Sequence, residues 1–493
     1  MTEKQIIEIG QRLSVGFDGP VIPQEFIDLV KKYKVGNVIL FRRNVFSFSQ
    51  LRALCADIRA LIRAETGFEP FIMIDEECGR VSRLSHIACQ TPCAMAIGAT
   101  DDPENAFGIG RLIGQELRAA GVNFNLAPVL DCLTNPAAPH GNRCFAAEPE
   151  KTAEFGVAYL RGLQEQGVLA CAKHFPGQGD TAVDSHLGLP VVDKPAEAVW
   201  QTELVSFQAA VKAGIQGIMS AHVVFPAFEK EHVPGTVSRS VITGLIREQM
   251  GFTGIILSDG MEMNAVRDMF GIPDGTRRAL AAGVDVALIC HSAEDAAKTC
   301  EHLYAALENG TFDAAEAEAR YRHIIDCKSR LLPPEGGEEM FGSPAQRAFA
   351  ARVMRDSLRL THAPGGRPLP AVDETTVFLG VNARAETPAS DNEPLDAAKE
   401  CAAAFGGTRI ALDGNAPDGA KKAVVFLSKH PDLDKAVAAA NRLAAAGLQV
   451  LAVSMNVPVC LRGLDDGIWQ AEAWQYDVLG LGAVIAAFRE RSL

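Results

Sequence analysis

Short apolar runs rich in β-branched residues alternate with segments of helical periodicity up to about residue 330. Gly121, Gly167 and Gly214 follow three of the helical segments, where helix C-caps favour glycine. Eight strands alternating with helices predict a (β/α)8 barrel, although an open doubly wound sheet remains possible because one sequence does not reveal strand order. The eight predicted strands are Leu13–Phe17, Asn37–Phe41, Phe71–Asp75, Asn123–Val129, Leu169–His174, Gly217–His222, Gly254–Asp259 and Asp285–Cys290.

The pattern changes after the predicted barrel. Residues 333–346 have the Pro- and Gly-rich composition of a linker, residues 347–360 have helical periodicity, and residues 363–371 form a second break. Further strand-like runs, Thr376–Gly380, Ala423–Leu427 and Gln449–Val453, are separated by Ala-rich helices. We therefore predict a barrel domain over residues 1–335, a linker with a helix over 336–369, and a smaller C-terminal α/β sandwich domain over 370–493.

Composition narrows the function classes. Of the 493 residues, 48% are hydrophobic and 22% are charged, which is typical of a soluble globular protein. The net charge of −14 argues against a nucleic-acid or anionic-membrane partner, since both require clustered Lys and Arg. The sequence contains neither a secretory signal pattern nor an apolar run long enough to span a membrane. The twelve cysteines occur singly, without C-x-x-C pairs, so we expect buried reduced thiols and a cytoplasmic location.

Ionisable residues concentrate where the predicted strands end. Barrel enzymes carry their chemistry at the C-terminal ends of the strands, because the loops there converge on one face. A single such residue could be a helix cap, but charge or imidazole at six of eight strand ends predicts a pocket. These residues are Asp75, Asp131, Lys173, His174, His222, Asp259 and His291.

The segment Ala172–Pro190, AKHFPGQGDTAVDSHLGLP, combines Gly and Pro with several ionisable residues after a buried strand. Such a loop is a candidate functional loop. In its D-S-H motif, Asp184 and His186 are two residues apart and point the same way if the loop is extended. A carboxylate next to an imidazole favours the protonated ring, so the pair could serve as a general acid/base. Taken alone, the motif is more often a turn with a solvated histidine.

Two further stretches contain candidate residues. In GFTGIILSDGMEM, Asp259 follows a strand and could be either a nucleophile or the N-cap of the next helix. In FIMIDEECGRVSRL, Asp75 ends a strand while Arg80 and Arg83 follow on a turn. A carboxylate and a guanidinium together can bind vicinal sugar hydroxyls, but a structural ion pair explains them equally well.

Together these stretches resemble glycoside hydrolase family 3, and within it the bacterial β-N-acetylglucosaminidase branch. The family pattern K-H-F-P-G-x-G-D followed by D-S-H is matched from Lys173 to Asp180 and from Asp184 to His186. The segments GVNFNLAPVLD and MSAHVVFP are also similar to the family's. The resemblance covers about residues 5–335 and is specific, because several long motifs occur in the family's order. The remainder of the chain is more weakly similar to the C-terminal domain of some members.

The resemblance implies a retaining exo-β-N-acetylglucosaminidase that forms a covalent glycosyl-aspartate intermediate. It implies that Asp259 is the nucleophile and that His186, oriented by Asp184, is the acid/base. The implied partner is a small carbohydrate, and the resemblance points to peptidoglycan as its source. The resemblance implies neither a metal nor an organic cofactor. The residues that would hold the N-acetylglucosamine unit are Asp75, Arg83, Arg143, Lys173 and His174.

Four positions depart from the family pattern. Gln178 stands where a histidine is usual, Cys78 where a second glycine is usual, and the R-S-F-G segment reads R-C-F-A from Arg143 to Ala146. Because Cys78 adds a Cβ where the chain turns beside Asp75, we expect that turn to differ. The alternatives are a β-glucosidase, β-xylosidase or glycoside phosphorylase of the same fold, and a non-catalytic sugar-binding protein.

Overall fold

The computed structural model describes residues 1–181, 188–382, 390–391 and 394–491. Eight parallel strands close into a barrel in the order β1-β10-β9-β8-β7-β6-β3-β2, and β4 pairs with β5 as a separate antiparallel hairpin. Because β1 pairs with both β2 and β10, the open sheet is excluded and the predicted barrel is confirmed. The strands are β1 Leu13–Val15, β2 Asn37–Leu40, β3 Phe71–Ile74, β4 Glu76–Cys78, β5 Val81–Ser82, β6 Phe124–Asn125, β7 Leu169–Phe175, β8 Gly217–Ser220, β9 Ile255–Gly260 and β10 Val286–Ile289.

Helices surround the barrel, and a further helix with wide, π-type turns runs over Ser240–Gln249. The interior of the barrel is packed with apolar side chains, among them Phe71, Phe124 and Leu257, so that open space begins above the strands rather than inside them. The helices are α1 Glu3–Gly10, α2 Gln24–Tyr33, α3 Phe48–Thr66, α4 Ala94–Ala99, α5 Pro103–Ala120, α6 Pro149–Glu165, α7 Ala196–Gln201, α8 Glu203–Lys212, α9 Asn264–Phe270, α10 Ile272–Ala282, α11 Ala293–Glu308 and α12 Ala314–Lys328.

Each of the eight predicted barrel strands is present, and their ends differ by a few residues. The largest difference is at β6, which ends at Asn125, whereas the sequence predicted a strand to Val129. Pro128 has no backbone N–H to donate, and beyond β6 the pairing with β7 continues only as an isolated bridge between Val129 and Lys173. The rest of that run instead leads to the loop that carries Asp131.

A second sheet follows the barrel in the order β11-β16-β15-β14-β12-β13, parallel except for β11. The helix predicted over 347–360 ends at Asp356, so that prediction was wrong for its last residues. Residues 359–362 instead pair antiparallel with β16, which shows that tertiary pairing overrode helical periodicity. The elements are β11 Arg359–His362, β12 Thr376–Gly380, β13 Thr408–Arg409, β14 Lys422–Leu427, β15 Gln449–Ser454, β16 Trp469–Glu472, α13 Pro344–Asp356, α14 Ala397–Phe405, α15 Leu433–Ala445 and α16 Val478–Glu490.

Alternate residues of the second sheet enter two separate apolar clusters, which confirms the predicted α/β sandwich. Val425 packs with α15 on one face, while Phe426 packs with α14 and α16 on the other. The α15 cluster also contains Met95 and Leu133 from the barrel loops, so this face shares a core with the barrel region.

All twelve cysteines are buried and outside disulfides, as the sequence predicted. Burial raises the pKa of the Cys55 thiol to about 12. None of the helices in the described part of the chain is long and apolar enough to cross a membrane.

A buried carboxyl group ties the barrel to the segment that follows it. Glu116, on α5, is 2% exposed, and its Oε1 accepts hydrogen bonds from the backbone N–H groups of Cys89 (3.1 Å) and Gly342 (2.8 Å). Burial raises its pKa from 4.5 to about 8, against the effect of these two donors. The folded protein therefore holds a proton that the unfolded chain releases above pH 4.5.

We expect the free energy of unfolding to fall as pH rises from about 4.5 to about 8, because the buried carboxyl must lose its proton. Glu116→Gln keeps the acceptor oxygen and removes the charge, so it should be more stable than wild type at pH 8.5 by up to roughly 5 kcal/mol, the equivalent of this pKa shift. Denaturant unfolding at pH 5 and pH 8.5 measures this difference. The exposed Glu154→Gln is the control, and parallel pH dependences of wild type and Glu116→Gln would contradict the assignment.

Candidate active site

A cavity of about 380 Å³ lies above the barrel, at the C-terminal ends of the strands. Among the described residues that line it are six of the sequence-predicted site residues. The lining residues used below are Phe41, Arg42, Asp75, Glu77, Arg83, His140, Arg143, Lys173, His174, Gln178, Asp259, Glu262, His291 and Asp391.

Three barrel strands bring the predicted residues into the cavity. Asp75 follows directly after β3, while Lys173 and His174 lie within β7 and Asp259 lies within β9. His222, which the strand-end pattern also placed in the pocket, is not among the residues lining the described cavity. Its buried ring instead contacts Thr236 (2.8 Å) and the backbone oxygen of Gly260 (3.0 Å), and it thus supports the backbone next to Asp259.

Glu77 lies at the centre of a buried ion-pair network. It receives two hydrogen bonds from Arg143, both of 2.8 Å, and its Oε1 lies 2.6 Å from Lys173 Nζ. Lys173 also donates to Asp75 at 2.7 Å. Burial would raise the pKa of Glu77, but Arg143 and Lys173 hold it well below its usual range. These ion pairs hold all four side chains in fixed positions.

The network extends to the C-terminal region through Arg83. This guanidinium lies 3.4 Å from Asp75 and forms a second ion pair with Asp391. Asp391 also donates its backbone N–H to the oxygen of Arg80 at 2.8 Å. Burial raises the pKa of Asp391 in spite of Arg83. Asp75 and Arg83 thus form an ion pair, and both also line the cavity, so sugar binding by this pair stays a prediction.

Asp131 lies behind the pocket wall and fixes His174. Its Oδ2 is 2.8 Å from His174 Nδ1, while its carboxylate also accepts the backbone N–H of His174 at 3.3 Å and of Gln178 at 2.7 Å. Burial would raise its pKa, but His174 lowers it to about 2. The carboxylate therefore holds the imidazole with Nδ1 turned towards Asp131 and away from the pocket.

The sequence implied no metal site. In the described part of the chain, Asp131, His140 and His174 place one ligand atom each within 4.8 Å of one another, the spacing of a possible cation site. The Asp131 carboxylate, however, already accepts three N–H groups. A cation there would compete with the His174 Nδ1 contact, and in this structure Asp131 and His174 belong to a hydrogen-bond network.

Asp259 is half-buried on β9, and its Oδ1 accepts the backbone N–H of Gly260 at 2.8 Å. The helix-cap alternative for this residue does not hold, because α9 begins at Asn264 and its N-cap is Met263. The Asp259 side chain instead lines the cavity. Glu262 and His291 lie on the same side of the cavity, where Glu262 accepts the backbone N–H of His291 at 2.8 Å.

Two of the predicted catalytic residues, Asp184 and His186, lie outside the described residues. The loop preceding them is described as far as Thr181. Asp180 contacts Thr134 (3.1 Å) and Lys194 (3.4 Å) and does not line the described cavity.

The departures from the family pattern have different structural settings. Cys78 has φ = 108°, in the region that favours glycine. The turn therefore keeps a glycine-like backbone, which is strained for a residue with a Cβ. Cys144 is buried in the core shared with the C-terminal region. Gln178 lines the cavity itself.

Sequence reasoning missed Glu77, His140 and Asp391. The two consecutive glutamates after Asp75 were a usable signal for Glu77, since they extend the ionisable run at that strand end. His140 and Asp391 lie in loops without periodicity, so the sequence contained no positional signal for either.

Comparison with known proteins agrees with this architecture. Residues 4–327 match the family described as the glycosyl hydrolase family 3 N-terminal domain. The chain is 32% identical over 377 residues to beta-hexosaminidase A of Pseudoalteromonas piscicida, covering 71% of this chain and 63% of that protein. It is 36% identical over 292 residues to a beta-hexosaminidase of Thioalkalivibrio sulfidiphilus, covering 58% and 82%.

A solved structure extends the similarity to the whole chain. The glycoside hydrolase family 3 beta-N-acetylglucosaminidase from Paenibacillus sp. str. FPU-7 superposes with a TM-score of 0.89 at 28% identity, covering 100% of this chain and 97% of that one. Both the barrel and the C-terminal sandwich are included in that superposition. From the match over residues 4–327, the chain belongs to glycosyl hydrolase family 3.

Proposed function

We propose that this protein is a retaining exo-β-N-acetylglucosaminidase that hydrolyses terminal β-linked N-acetylglucosamine through a covalent glycosyl-aspartate intermediate. The observation that carries the proposal is the Asp259 side chain at the end of β9, which lines a cavity in which Lys173 forms ion pairs with Asp75 and Glu77. Relatives named as beta-hexosaminidases and the similar beta-N-acetylglucosaminidase structure support the sugar specificity.

The charge balance of the cavity suits a neutral sugar. Its described lining contains five cationic and five anionic side chains, so no excess of charge selects an ionic ligand. Carboxylates and guanidinium groups held in ion pairs retain lone pairs and N–H groups that can bind sugar hydroxyls. By resemblance, Asp75, Arg83, Arg143, Lys173 and His174 perform this binding.

In the first step, the Asp259 carboxylate attacks the anomeric carbon and the glycosidic C–O bond breaks. His186 donates a proton to the departing oxygen, with Asp184 orienting its ring. In the second step, the same imidazole takes a proton from water, which then hydrolyses the ester to Asp259. A histidine with a pKa near ~6.5 can perform both transfers at neutral pH. The roles of His186 and Asp184 rest on the D-S-H motif alone.

The natural substrate that we propose is a peptidoglycan fragment, and the proposed location is the cytoplasm. Twelve free, buried thiols are compatible with a reducing compartment.

The protein should require the N-acetyl group. We expect kcat/KM for p-nitrophenyl β-N-acetylglucosaminide to exceed that for the β-glucoside by at least ~100-fold, or ~2.7 kcal/mol of transition-state binding. The measurement is the initial rate with both substrates and with the β-xyloside. Equal rates with the glucoside would identify a general β-glucosidase instead.

Asp259→Asn should reduce turnover below a few per cent of wild type without altering the fold, since no other group replaces the nucleophile. A 5-fluoro N-acetylglucosaminyl donor should attach covalently to the peptide containing Asp259, as read by mass spectrometry after proteolysis. Asp75→Asn is the matched control, because it removes a pocket carboxylate without removing the nucleophile and should still be labelled. Attachment to Asp75 or Glu262 in the wild type would overturn the assignment.

The importance of His186 should increase with the basicity of the leaving group. His186→Ala should lose little in the first step with an activated aryl glycoside and far more with an unactivated disaccharide, and Asp184→Ala should behave similarly but more mildly. The measurement is kcat/KM across aryl N-acetylglucosaminides of graded leaving-group pKa. His174→Ala is the control, because Asp131 fixes this ring as a binding group and its loss should be uniform along the series. A flat loss for His186→Ala would exclude it as the acid/base.

A further inference from the structure

Two buried polar side chains in the cavity wall have an atom without a partner. Gln178 is 3% exposed and His140 is 6% exposed, and both line the cavity. Within the described part of the chain, Gln178 Nε2 and His140 Nδ1 have no hydrogen-bond partner. Buried polar atoms are nearly always paired in folded proteins, because leaving one unpaired costs the desolvation of that atom. Two such atoms in the wall of one cavity point to a ligand.

The backbone of Gln178 is fixed from several sides. Its N–H donates to Asp131 (2.7 Å), and its carbonyl oxygen accepts the hydroxyl of Thr181 (2.8 Å). A Cβ added at the adjacent Gly179 would lie 1.5 Å from the backbone oxygen of Cys132, so the loop packs directly against that backbone. The Gln178 side chain therefore extends from a rigid support in the cavity wall.

His140 is held equally firmly. Arg80 donates to its backbone oxygen at 2.9 Å and to that of Pro139 at 2.8 Å, while its ring lies 5.1 Å from the ring of His174. Burial lowers the pKa of His140 to about 3 in spite of Asp131, so the ring is neutral at neutral pH. Its Nε2 lies 3.9 Å from Asp131 Oδ2, so the single ring proton is favoured on Nε2. Nδ1 then carries no proton and is a hydrogen-bond acceptor.

We propose that Gln178 and His140 are substrate-binding residues that hydrogen-bond the terminal sugar, with the amide of Gln178 donating and Nδ1 of His140 accepting. A neutral donor and a neutral acceptor fit a hydroxyl or an acetamido group, since each of these groups both accepts and donates. The inference rests on the proposed function, because that function identifies the terminal sugar as N-acetylglucosamine. It assigns a role to the glutamine that replaces the histidine of the family pattern.

The experiment combines enzyme variants with substrates that lack one group. The variants are Gln178→Met and His140→Phe, which remove the polar atom and keep most of the volume. The substrates are 4-methylumbelliferyl β-N-acetylglucosaminide, its 3-, 4- and 6-deoxy analogues, and the glucoside, which replaces the acetamido group. Gln164→Met is the matched control, because Gln164 also has a buried unpaired oxygen but lies on α6, away from the cavity lining.

With the parent substrate, each pocket variant should lose about three- to tenfold in kcat/KM, the contribution of one neutral hydrogen bond. With the one substrate that lacks the bound group, the same variant should lose less than about twofold, because the interaction is already absent. Gln178→His should retain most of the activity, since a ring N–H can replace the amide donor. Gln164→Met should match wild type with every substrate.

A loss that is the same with every substrate, or no loss at all, would overturn the proposal and indicate that the two atoms serve only the architecture of the wall. Failure of the proposed function is distinguishable from this result. In that case the wild-type enzyme itself would not hydrolyse the parent N-acetylglucosaminide, whatever the variants do.

Discussion

The cavity depends on one buried carboxylate, Glu77, held between two cations. It joins the β4–β5 hairpin to Lys173 on β7 and to Arg143 in the loop after β6. Removing one member of such a group would leave uncompensated buried charge, at a cost of roughly 3–5 kcal/mol, whereas the intact group is satisfied on all sides. These ion pairs therefore set the positions of the groups that face the cavity, because breaking one of them carries a large free-energy cost.

The same constraint joins the barrel to the C-terminal sandwich. Arg83 pairs with Asp75 of the barrel and with Asp391 beyond it, and Lys429 of the C-terminal region donates to the backbone oxygen of Ala138 at 2.9 Å. Asn142 likewise donates to the oxygen of Trp474 at 2.8 Å. Part of the cavity wall therefore comes from outside the barrel, and the loop that carries His140 is held from both regions.

The cavity combines two kinds of polar group with different tasks. The charged groups neutralise each other in pairs and give a rigid frame with many donors and acceptors. Asp259 reaches the cavity from the end of β9, where His222 contacts the backbone oxygen of Gly260. In the proposed function, the ion-paired groups bind the sugar and Asp259 is the reactive group.

Local patterns in the sequence determined the elements, because alternating apolar runs with helical periodicity between them favour one fold class. They predicted all eight barrel strands and the strand-end positions of Asp75, Lys173, His174 and Asp259. Only the tertiary structure decided that the barrel closes, that β11 replaces the end of a predicted helix, and that Glu77, His140 and Asp391 meet at the cavity. Those outcomes depend on contacts between residues up to about 300 positions apart, whose energies have no counterpart in local sequence periodicity.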